Sequence, residues 1–187
     1  LGATRPRGDG NASAQVVNLD VRRKIADLAI AGMPHLGSGI TFAWQGTTVL
    51  ASPNLKGGGI DVIDMKTWKA VKQIATNGPG FFMRSHDATP YAWIDSMMGP
   101  RKDTLQVIDK RTLAIAGEVT PSPGKTAAHI EFDRYGRHAL ASVWENDGAI
   151  VVYDAATLLE IKRLPANRPV GKYNVYNKIT RSAGTSH

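Results

Sequence analysis

Three short segments of the chain share one pattern and decide the fold: Ile60-Asp61-Val62-Ile63-Asp64, Leu105-Gln106-Val107-Ile108-Asp109 and Ile150-Val151-Val152-Tyr153-Asp154. A fourth segment, Val16-Val17-Asn18-Leu19-Asp20, aligns with them on its final Asp. The four final Asp residues, here called the anchors, lie 44, 45 and 45 positions apart. A period of about 40 to 45 residues built from short apolar strands is typical of the blades of a β-propeller.

Each anchor Asp is followed by a short polar turn and then by a second strand, as in residues 70–74 after Asp64. This pattern predicts a β-hairpin whose turn is stabilised by the Asp side chain, which accepts backbone N–H bonds. A loop rich in Pro and Gly comes next, and then another strand pair, such as residues 40–44 with 49–52. Four strands in each repeat predict an all-β protein with the β-propeller fold.

The repeats predict two complete blades, at about residues 40–74 and 81–119, and most of a third at 129–164. Half a blade precedes them and one strand follows them. Such a set does not close a ring, and open sheet edges favour aggregation. We therefore expect one domain, residues 1–187, that forms about half of a propeller, with more blades preceding it in a longer protein.

Composition excludes several kinds of site. The chain has no cysteine, which excludes disulfides, zinc–thiolate sites, iron–sulfur clusters and covalent c-type heme attachment within it. No apolar run approaches the roughly 18 residues of a membrane helix, so no membrane span is predicted. The net charge of +7 suits an anionic partner. Because Lys and Arg are scattered and form no basic stripe, nucleic-acid binding is not expected.

Histidines and a tyrosine recur in the loops between repeats. His35, His86, His129 and Tyr173 lie 15, 22, 20 and 19 residues after their anchors, whereas His138 and His187 do not share this offset. Equivalent loops of a propeller lie at one end of its axis, so we expect the four side chains to converge. Converging imidazoles serve as metal or heme ligands, or as general acids and bases.

Three cations belong to the same loops: Arg84, Lys125 and Lys172. Their charges suit the carboxylates of a ligand, and the alternative is a solvated rim. An axis lined by imidazoles, a phenol and cations favours a flat anionic macrocycle over a small neutral metabolite.

Several motifs resemble those of a known family. They are Gly32-Met33-Pro34-His35, Arg84-Ser85-His86, Ile130-Glu131-Phe132 with Ser142-Val143-Trp144, and Pro169-Val170-Gly171-Lys172-Tyr173-Asn174-Val175-Tyr176-Asn177. Together they resemble the C-terminal half of the eight-bladed propellers that bind heme d1. The family includes the nitrite reductases with heme c and heme d1, and enzymes of heme d1 biosynthesis. The resemblance implies heme d1 as cofactor or substrate, and a heme c in a domain N-terminal to this chain.

Within that family the motifs favour the biosynthetic branch. His35 and His86 match motifs of the nitrite reductases, in which two pocket histidines protonate nitrite. His129 and the tail at residues 181–187 instead resemble the dihydro-heme d1 dehydrogenases, which oxidise a propionate side chain to acrylate and pass electrons to a c-type heme. The open alternatives are a nitrite reductase domain, a heme d1 carrier and a non-catalytic scaffold.

The resemblance also implies roles for individual residues. His129, Tyr173 and His35 form the expected catalytic set, with Tyr173 or His129 as the base. The expected iron ligands are His129 and His35. Contacts to the macrocycle are expected from seven residues: His35, His86, Arg84, His129, Lys125, Lys172 and Asn174. The implied location is the periplasm, and the implied partners are other heme d1 assembly or nitrite reductase proteins and an electron-carrier cytochrome.

Overall fold

The computed structural model describes residues 4–6, 12–56 and 58–172, and strands dominate this part of the chain. A single 3-10 turn, Leu36–Ser38, interrupts the strands described. The strands, in chain order, are β1 Thr4–Pro6, β2 Ala12–Asn18, β3 Arg23–Leu28, β4 Ile40–Trp44, β5 Thr47–Pro53, β6 Ile60–Asp64, β7 Lys69–Ile74, β8 Met83–Ser85, β9 Tyr91–Asp95, β10 Leu105–Asp109, β11 Ala114–Val119, β12 Ala127–Phe132, β13 His138–Val143, β14 Gly148–Asp154 and β15 Glu160–Ala166.

The strands form antiparallel sheets in which neighbours in sequence are neighbours in space. Strands β4 to β7, β8 to β11 and β12 to β15 each form a four-stranded sheet, and β1 to β3 form a three-stranded one. The predicted all-β fold is confirmed. Two details differ. The sheet of β12 to β15 is complete, because β15 extends to Ala166, and the sheet at the start of the chain has three strands, because β1 pairs with β2. The predicted final strand lies outside the described residues.

The anchor Asp residues stabilise the outer hairpins as predicted. Oδ1 of Asp64 accepts the backbone N–H groups of Lys66 and Thr67 at 2.6 and 2.9 Å. Asp109 and Asp154 accept the equivalent pairs of N–H bonds in their own hairpins. Because these bonds lower the energy of the ionised carboxylate, the pKa of each of the three anchors is lowered.

In the sheet of β1 to β3 the anchor is Asn18, two residues before the predicted Asp20. Oδ1 of Asn18 accepts the N–H groups of Asp20 and Val21 at 2.9 and 3.2 Å. A carboxamide oxygen offers the same lone pairs as a carboxylate oxygen, so Asn replaces Asp without changing the turn. The fourth residue after each corrected anchor has a positive φ, namely Arg22, Trp68, Leu113 and Leu158.

Apolar faces of successive sheets pack against each other. One buried cluster joins the sheet of β1 to β3 to the sheet of β4 to β7, and a second joins that sheet to the sheet of β8 to β11. Another lies between the sheets of β8 to β11 and β12 to β15, where the ring centroids of Trp93 and Tyr153 are 5.8 Å apart. The first strands of the three four-stranded sheets lie next to one another, because β8 contacts both β4 and β12. The loops entering β4, β8 and β12 therefore lie at one end of the array.

Candidate functional site

A row of four aromatic rings joins the loops that enter β4 and β8 to strand β12. The ring centroids of His35 and Phe81 lie 4.1 Å apart, those of Phe81 and Phe82 4.7 Å, and those of Phe82 and His129 4.8 Å. His35, Phe81 and Phe82 are half-buried. The structure thus links His35 to His129 through two phenylalanines that the sequence analysis did not identify. His129 itself is buried and lies inside β12, not in the predicted entry loop.

His35 is held by its own loop. Its backbone N–H donates to the carbonyl of Pro53 at 2.7 Å. The loop before it is fixed by the buried Asn54, which accepts the N–H of Met33 and donates to the carbonyl of Ala31. Gly32 has φ +81°, and a Cβ there would lie 2.5 Å from Oδ1 of Asn54, so this close approach requires glycine.

The imidazole of His35 contacts the next loop through a ring nitrogen. Nδ1 lies 3.3 Å from the carbonyl oxygen of Phe81. A carbonyl oxygen only accepts, so Nδ1 carries the proton in this contact, and in the neutral ring Nε2 keeps its lone pair. Histidines that bind a metal through one nitrogen commonly donate the other N–H to a carbonyl or carboxylate. This tautomer leaves a lone pair on Nε2 of His35 that could bind a metal.

Phe81 and Phe82 are positioned by Asp95, whose carboxylate is fully buried at the end of β9. Its oxygens accept the backbone N–H groups of Phe81 and Phe82 at 2.9 and 2.8 Å, and that of Met97 at 3.2 Å. Burial raises the pKa of Asp95 to about 6, although the three N–H bonds act in the opposite direction. This carboxylate was missed in the sequence, where Asp95 is simply the polar end of a strand.

His129 lies at an irregularity of β12. Ala128 pairs with Ser142 and Glu131 pairs with Leu140, so His129 and Ile130 together face one residue of β13. The φ of His129 is +54°, in the left-handed region that residues other than glycine rarely adopt. Such strained residues cluster at ligand sites because the surrounding structure must hold them in place.

Lys172 contacts His129 at two points. Its backbone N–H donates to Nδ1 of His129 at 3.2 Å, and its Nζ donates to the carbonyl oxygen of His129 and, at 2.5 Å, to Oγ of Ser142. Burial lowers the pKa of Lys172 to about 7; the negative charge of Glu131 opposes this shift and the positive charge of Arg84 adds to it.

The other two predicted cations form ion pairs. Nη2 of Arg84 lies 3.2 Å from Oε2 of Glu131, and only 3% and 7% of the two side chains are exposed, so Arg84 is not on a solvated rim. Nζ of Lys125 lies 2.6 Å from Oδ2 of Asp147 in a more exposed pair, and this bond lowers the pKa of Asp147.

His86 lies apart from the aromatic row. It follows the last residue of β8, whereas Phe81 and Phe82 precede the first, so the prediction that it shares the entry-loop position of His35 is wrong. Its ring is buried, Nδ1 accepts the N–H of Ala88, and Nε2 has no partner among the described residues. The reason is the short strand β8, which places a residue 22 positions after its anchor beyond the strand instead of before it.

Tyr173 and Asn174 lie outside the described residues. Within the residues that are described, no three His, Asp or Glu side chains form a cluster suited to a bare metal ion. No helix in that part of the chain is long and apolar enough to cross a membrane.

Known proteins of similar sequence include two relatives. The chain is 54% identical over 187 residues to a dihydro-heme d1 dehydrogenase of Pseudomonas aeruginosa, covering 100% of this chain and 37% of that protein. It is 31% identical over 144 residues to the protein NirF of Stutzerimonas stutzeri, covering 77% of this chain and 35% of NirF. The chain thus spans less than half the length of these relatives.

Solved structures show the same likeness. The structure of dihydro-heme d1 dehydrogenase NirN in complex with DHE superposes with a TM-score of 0.86 at 50% identity, over 94% of this chain and 40% of that one. A hydrazine synthase of Kuenenia stuttgartiensis shares the fold alone, with a TM-score of 0.68 at 13% identity over 83% of this chain and 43% of that one. The family model of the cytochrome D1 heme domain matches residues 8–178. The chain is therefore part of a β-propeller and belongs to the cytochrome D1 heme domain family.

Proposed function

We propose that this chain forms the substrate pocket of a dihydro-heme d1 dehydrogenase, which oxidises a propionate side chain of dihydro-heme d1 to acrylate. The observation that carries the proposal is the aromatic row from His35 to His129, in a chain that is 54% identical along its whole length to such an enzyme. The row supplies ring faces for a flat macrocycle.

The residues present fit this substrate. Nε2 of His35 keeps a lone pair, which suits the iron of the macrocycle. The Nζ of Lys172 suits a carboxylate of the substrate and lies beside His129. Lys125 and Arg84 form ion pairs with Asp147 and Glu131, so we assign them to shaping the pocket. Among the described residues, Nζ of Lys172 donates only to uncharged oxygens, those of His129 and Ser142, so we assign direct contact with a substrate carboxylate to Lys172.

The reaction replaces a carbon–carbon single bond with a double bond and releases two protons and two electrons. A base of this chain, Tyr173 or His129, takes a proton from the propionate and passes it to solvent, and the second proton also reaches solvent. A c-type heme, expected elsewhere in the full-length protein, would accept the electrons one at a time, and an electron-carrier cytochrome would receive them from it. A periplasmic location and contact with other heme d1 assembly proteins stay predictions.

The test is to add dihydro-heme d1 without oxygen to the full-length protein, follow the absorption spectrum and assay nitrite reduction in parallel. Appearance of the spectrum of mature heme d1 would support the proposal. Tight binding with nitrite turnover would replace it with a nitrite reductase, and binding with neither reaction would indicate a carrier. No spectral change would indicate a scaffold.

A matched pair of variants tests the iron ligand. His35→Ala removes the expected ligand, so the spectrum of the bound macrocycle should change. His138→Ala removes a partly exposed imidazole of β13 that is absent from the aromatic row, so the spectrum should stay the same. An unchanged spectrum in His35→Ala would exclude His35 as the ligand.

A further inference from the structure

The side chain of Asp95 connects two loops at one end of the sheet of β8 to β11. Oδ1 accepts the backbone N–H groups of Phe81 and Met97, and Oδ2 accepts that of Phe82. Phe81 and Phe82 belong to the loop that enters β8, whereas Met97 belongs to the loop that leaves β9. One buried carboxylate therefore fixes both loops and uses both of its oxygens to do so.

The loop that enters β8 also lies directly against the end of β9. The backbone N–H of Asp95 donates to the carbonyl of Phe82, and that of Met98 donates to the carbonyl of Pro79, each at 3.3 Å. A Cβ at Gly80 would lie 2.2 Å from the carbonyl oxygen of Asp95, so this close approach requires glycine. Displacement of the Asp95 side chain would thus be transmitted to the whole loop that carries the two phenylalanines.

The way Asp95 accepts its bonds differs from that of the anchors. In an anchor turn a single oxygen accepts both bonds, as Oδ1 of Asp109 does from Arg111 and Thr112, and Asn18 shows that a carboxamide can replace it. At Asp95 both oxygens accept. A carboxamide NH2 or a protonated carboxyl O–H would place a donor against a backbone N–H there. Only the ionised carboxylate suits all three N–H groups.

We propose that Asp95 is a positioning residue for the macrocycle: its ionised form holds Phe81 and Phe82 in place, so protonation of Asp95 weakens the binding of dihydro-heme d1. This inference rests on the proposed function and deepens it by adding control by pH. Burial raises the pKa of Asp95 to about 6. Binding should therefore be strong above pH 6, where the carboxylate is ionised, and should weaken as the pH falls below 6.

Other titratable groups near these loops must be distinguished from Asp95. Nδ1 of His35 lies 3.3 Å from the carbonyl oxygen of Phe81, and the ring of His129 lies 4.8 Å from that of Phe82. On β10 the residue paired with Asp95 is the apolar Leu105. The charged residues of β8 and of the loop after β9 interact elsewhere: Arg84 with Glu131, Arg101 with Glu118, Lys102 with Glu145, and Asp103 with the N–H of Gly124. Both histidines remain in a variant of Asp95, so such a variant separates their effect from that of the carboxylate.

Hydrogen exchange of the full-length wild-type protein tests the proposal without substrate. Exchange is followed by mass spectrometry at pH 7.5 and pH 5, after correction for the intrinsic effect of pH on amide exchange. At pH 5 only about a tenth of the Asp95 side chains are ionised, so protection of the segments 79–83 and 96–98 should fall by up to about tenfold. Protection of β10 should stay the same. Unchanged protection in both loop segments would overturn the inference, whatever the protein does with dihydro-heme d1.

A matched pair of variants tests the effect on binding, with the Kd for dihydro-heme d1 measured by spectral titration without oxygen. In the wild type, the Kd should be up to about tenfold weaker at pH 5 than at pH 7.5. Asp95→Asn should already show the weaker Kd at pH 7.5 and should lack most of the further change at pH 5. Asp109→Asn keeps the single accepting oxygen of its turn, so it should bind like the wild type at both pH values.

The possible outcomes separate this inference from the proposed function. Equal Kd values in Asp95→Asn and the wild type at both pH values would refute the role of Asp95. Absence of binding by the wild type at both pH values would refute the proposed function, and hydrogen exchange would then decide the inference alone. Because the exchange test uses the wild-type protein, it is decisive even where Asp95→Asn folds poorly.

Discussion

The side chains of Arg84 in β8 and Glu131 in β12 form a buried ion pair, with Nη2 and Oε2 3.2 Å apart. The pair connects the first strands of two neighbouring sheets, directly beside the loops that carry the aromatic row. Its charges also act on Lys172, whose pKa Glu131 raises and Arg84 lowers. The same two residues therefore join two blades and influence the charge of the site.

Glu131→Gln should be strongly destabilising. It leaves the buried guanidinium of Arg84 without its carboxylate, and removing one partner of a buried pair costs about 3–5 kcal/mol. The free energy of unfolding of the full-length protein, measured with urea, checks this. The double variant Arg84→Met, Glu131→Leu is the control, because it removes both charges and should recover much of the loss. Equal losses in the two proteins would contradict this explanation.

Asp95→Asn should change how stability depends on pH. The pKa of Asp95 is about 6 in the folded protein and 3.8 as its ordinary value, so between these values the folded state binds more protons. The protonated Asp95 therefore contributes fully to the free energy of unfolding below about pH 4, and this contribution is lost as the pH rises through about 6. The variant should lack this decrease between pH 4 and pH 7, measured by urea unfolding at each pH. An identical slope in both proteins would show that Asp95 does not titrate in this range.

Gly136→Ala should destabilise the protein by displacing His86. Gly136 has φ +67°, and an added Cβ would lie 2.3 Å from Nδ1 of His86. Gly46→Ala is the matched control, since Gly46 has φ +79° but open space around the Cβ position. Both carry backbone strain, so the excess loss in Gly136→Ala, about 1–3 kcal/mol, measures the clash. The folded fraction of Gly136→Ala should still bind dihydro-heme d1 with the affinity of the wild type. A loss of affinity would indicate that His86 contacts the substrate after all.

Asn18→Ala and Asp20→Ala compare the two possible anchors of the first sheet. Asn18 accepts two backbone N–H bonds, so its replacement should cost about 1 kcal/mol. Asp20 is exposed, and its replacement should change stability by less than about 0.5 kcal/mol. Thermal unfolding of the two full-length variants provides the comparison. A larger loss in Asp20→Ala would restore the original alignment of the repeat.

Tyr173→Phe should abolish turnover of dihydro-heme d1 and leave its binding intact. The change removes the phenol oxygen and keeps the ring, so only the proton-accepting group is lost. Binding is measured by spectral titration without oxygen, and turnover by the appearance of mature heme d1. Full activity in the variant would exclude Tyr173 as the base.

The sequence was sufficient to predict the repeat and the sheets. The anchors Asp64, Asp109 and Asp154 are visible because a hairpin needs a side-chain acceptor at the same place in every blade. The first anchor was misplaced because Asn18 fills that place equally well and Asp20 lies only two residues away. The position of a turn can be read from an Asp only where no nearby Asn offers the same side-chain acceptor.

The site was predicted less completely than the fold. The grouping of His35 with His129 was predicted because a propeller brings its innermost strands and their entry loops together. The positions were less exact, because His86 follows β8 and His129 lies inside β12. Loop lengths differ between blades, so equal offsets from the anchors do not give equal positions. No sequence pattern distinguishes Phe81 and Phe82 from core residues, and the contact of Lys172 with His129 joins residues 43 positions apart. Such contacts depend on side-chain packing between blades, which no local pattern encodes.

The left-handed backbone of His129 implies a conflict between folding and activity. Glycine adopts that conformation without strain, and asparagine does so more readily than most residues. A chain optimised only for its melting temperature would therefore place glycine or asparagine at position 129 and lose the imidazole. Engineering this protein for thermal stability by backbone criteria would thus begin by deleting a residue that its proposed chemistry needs.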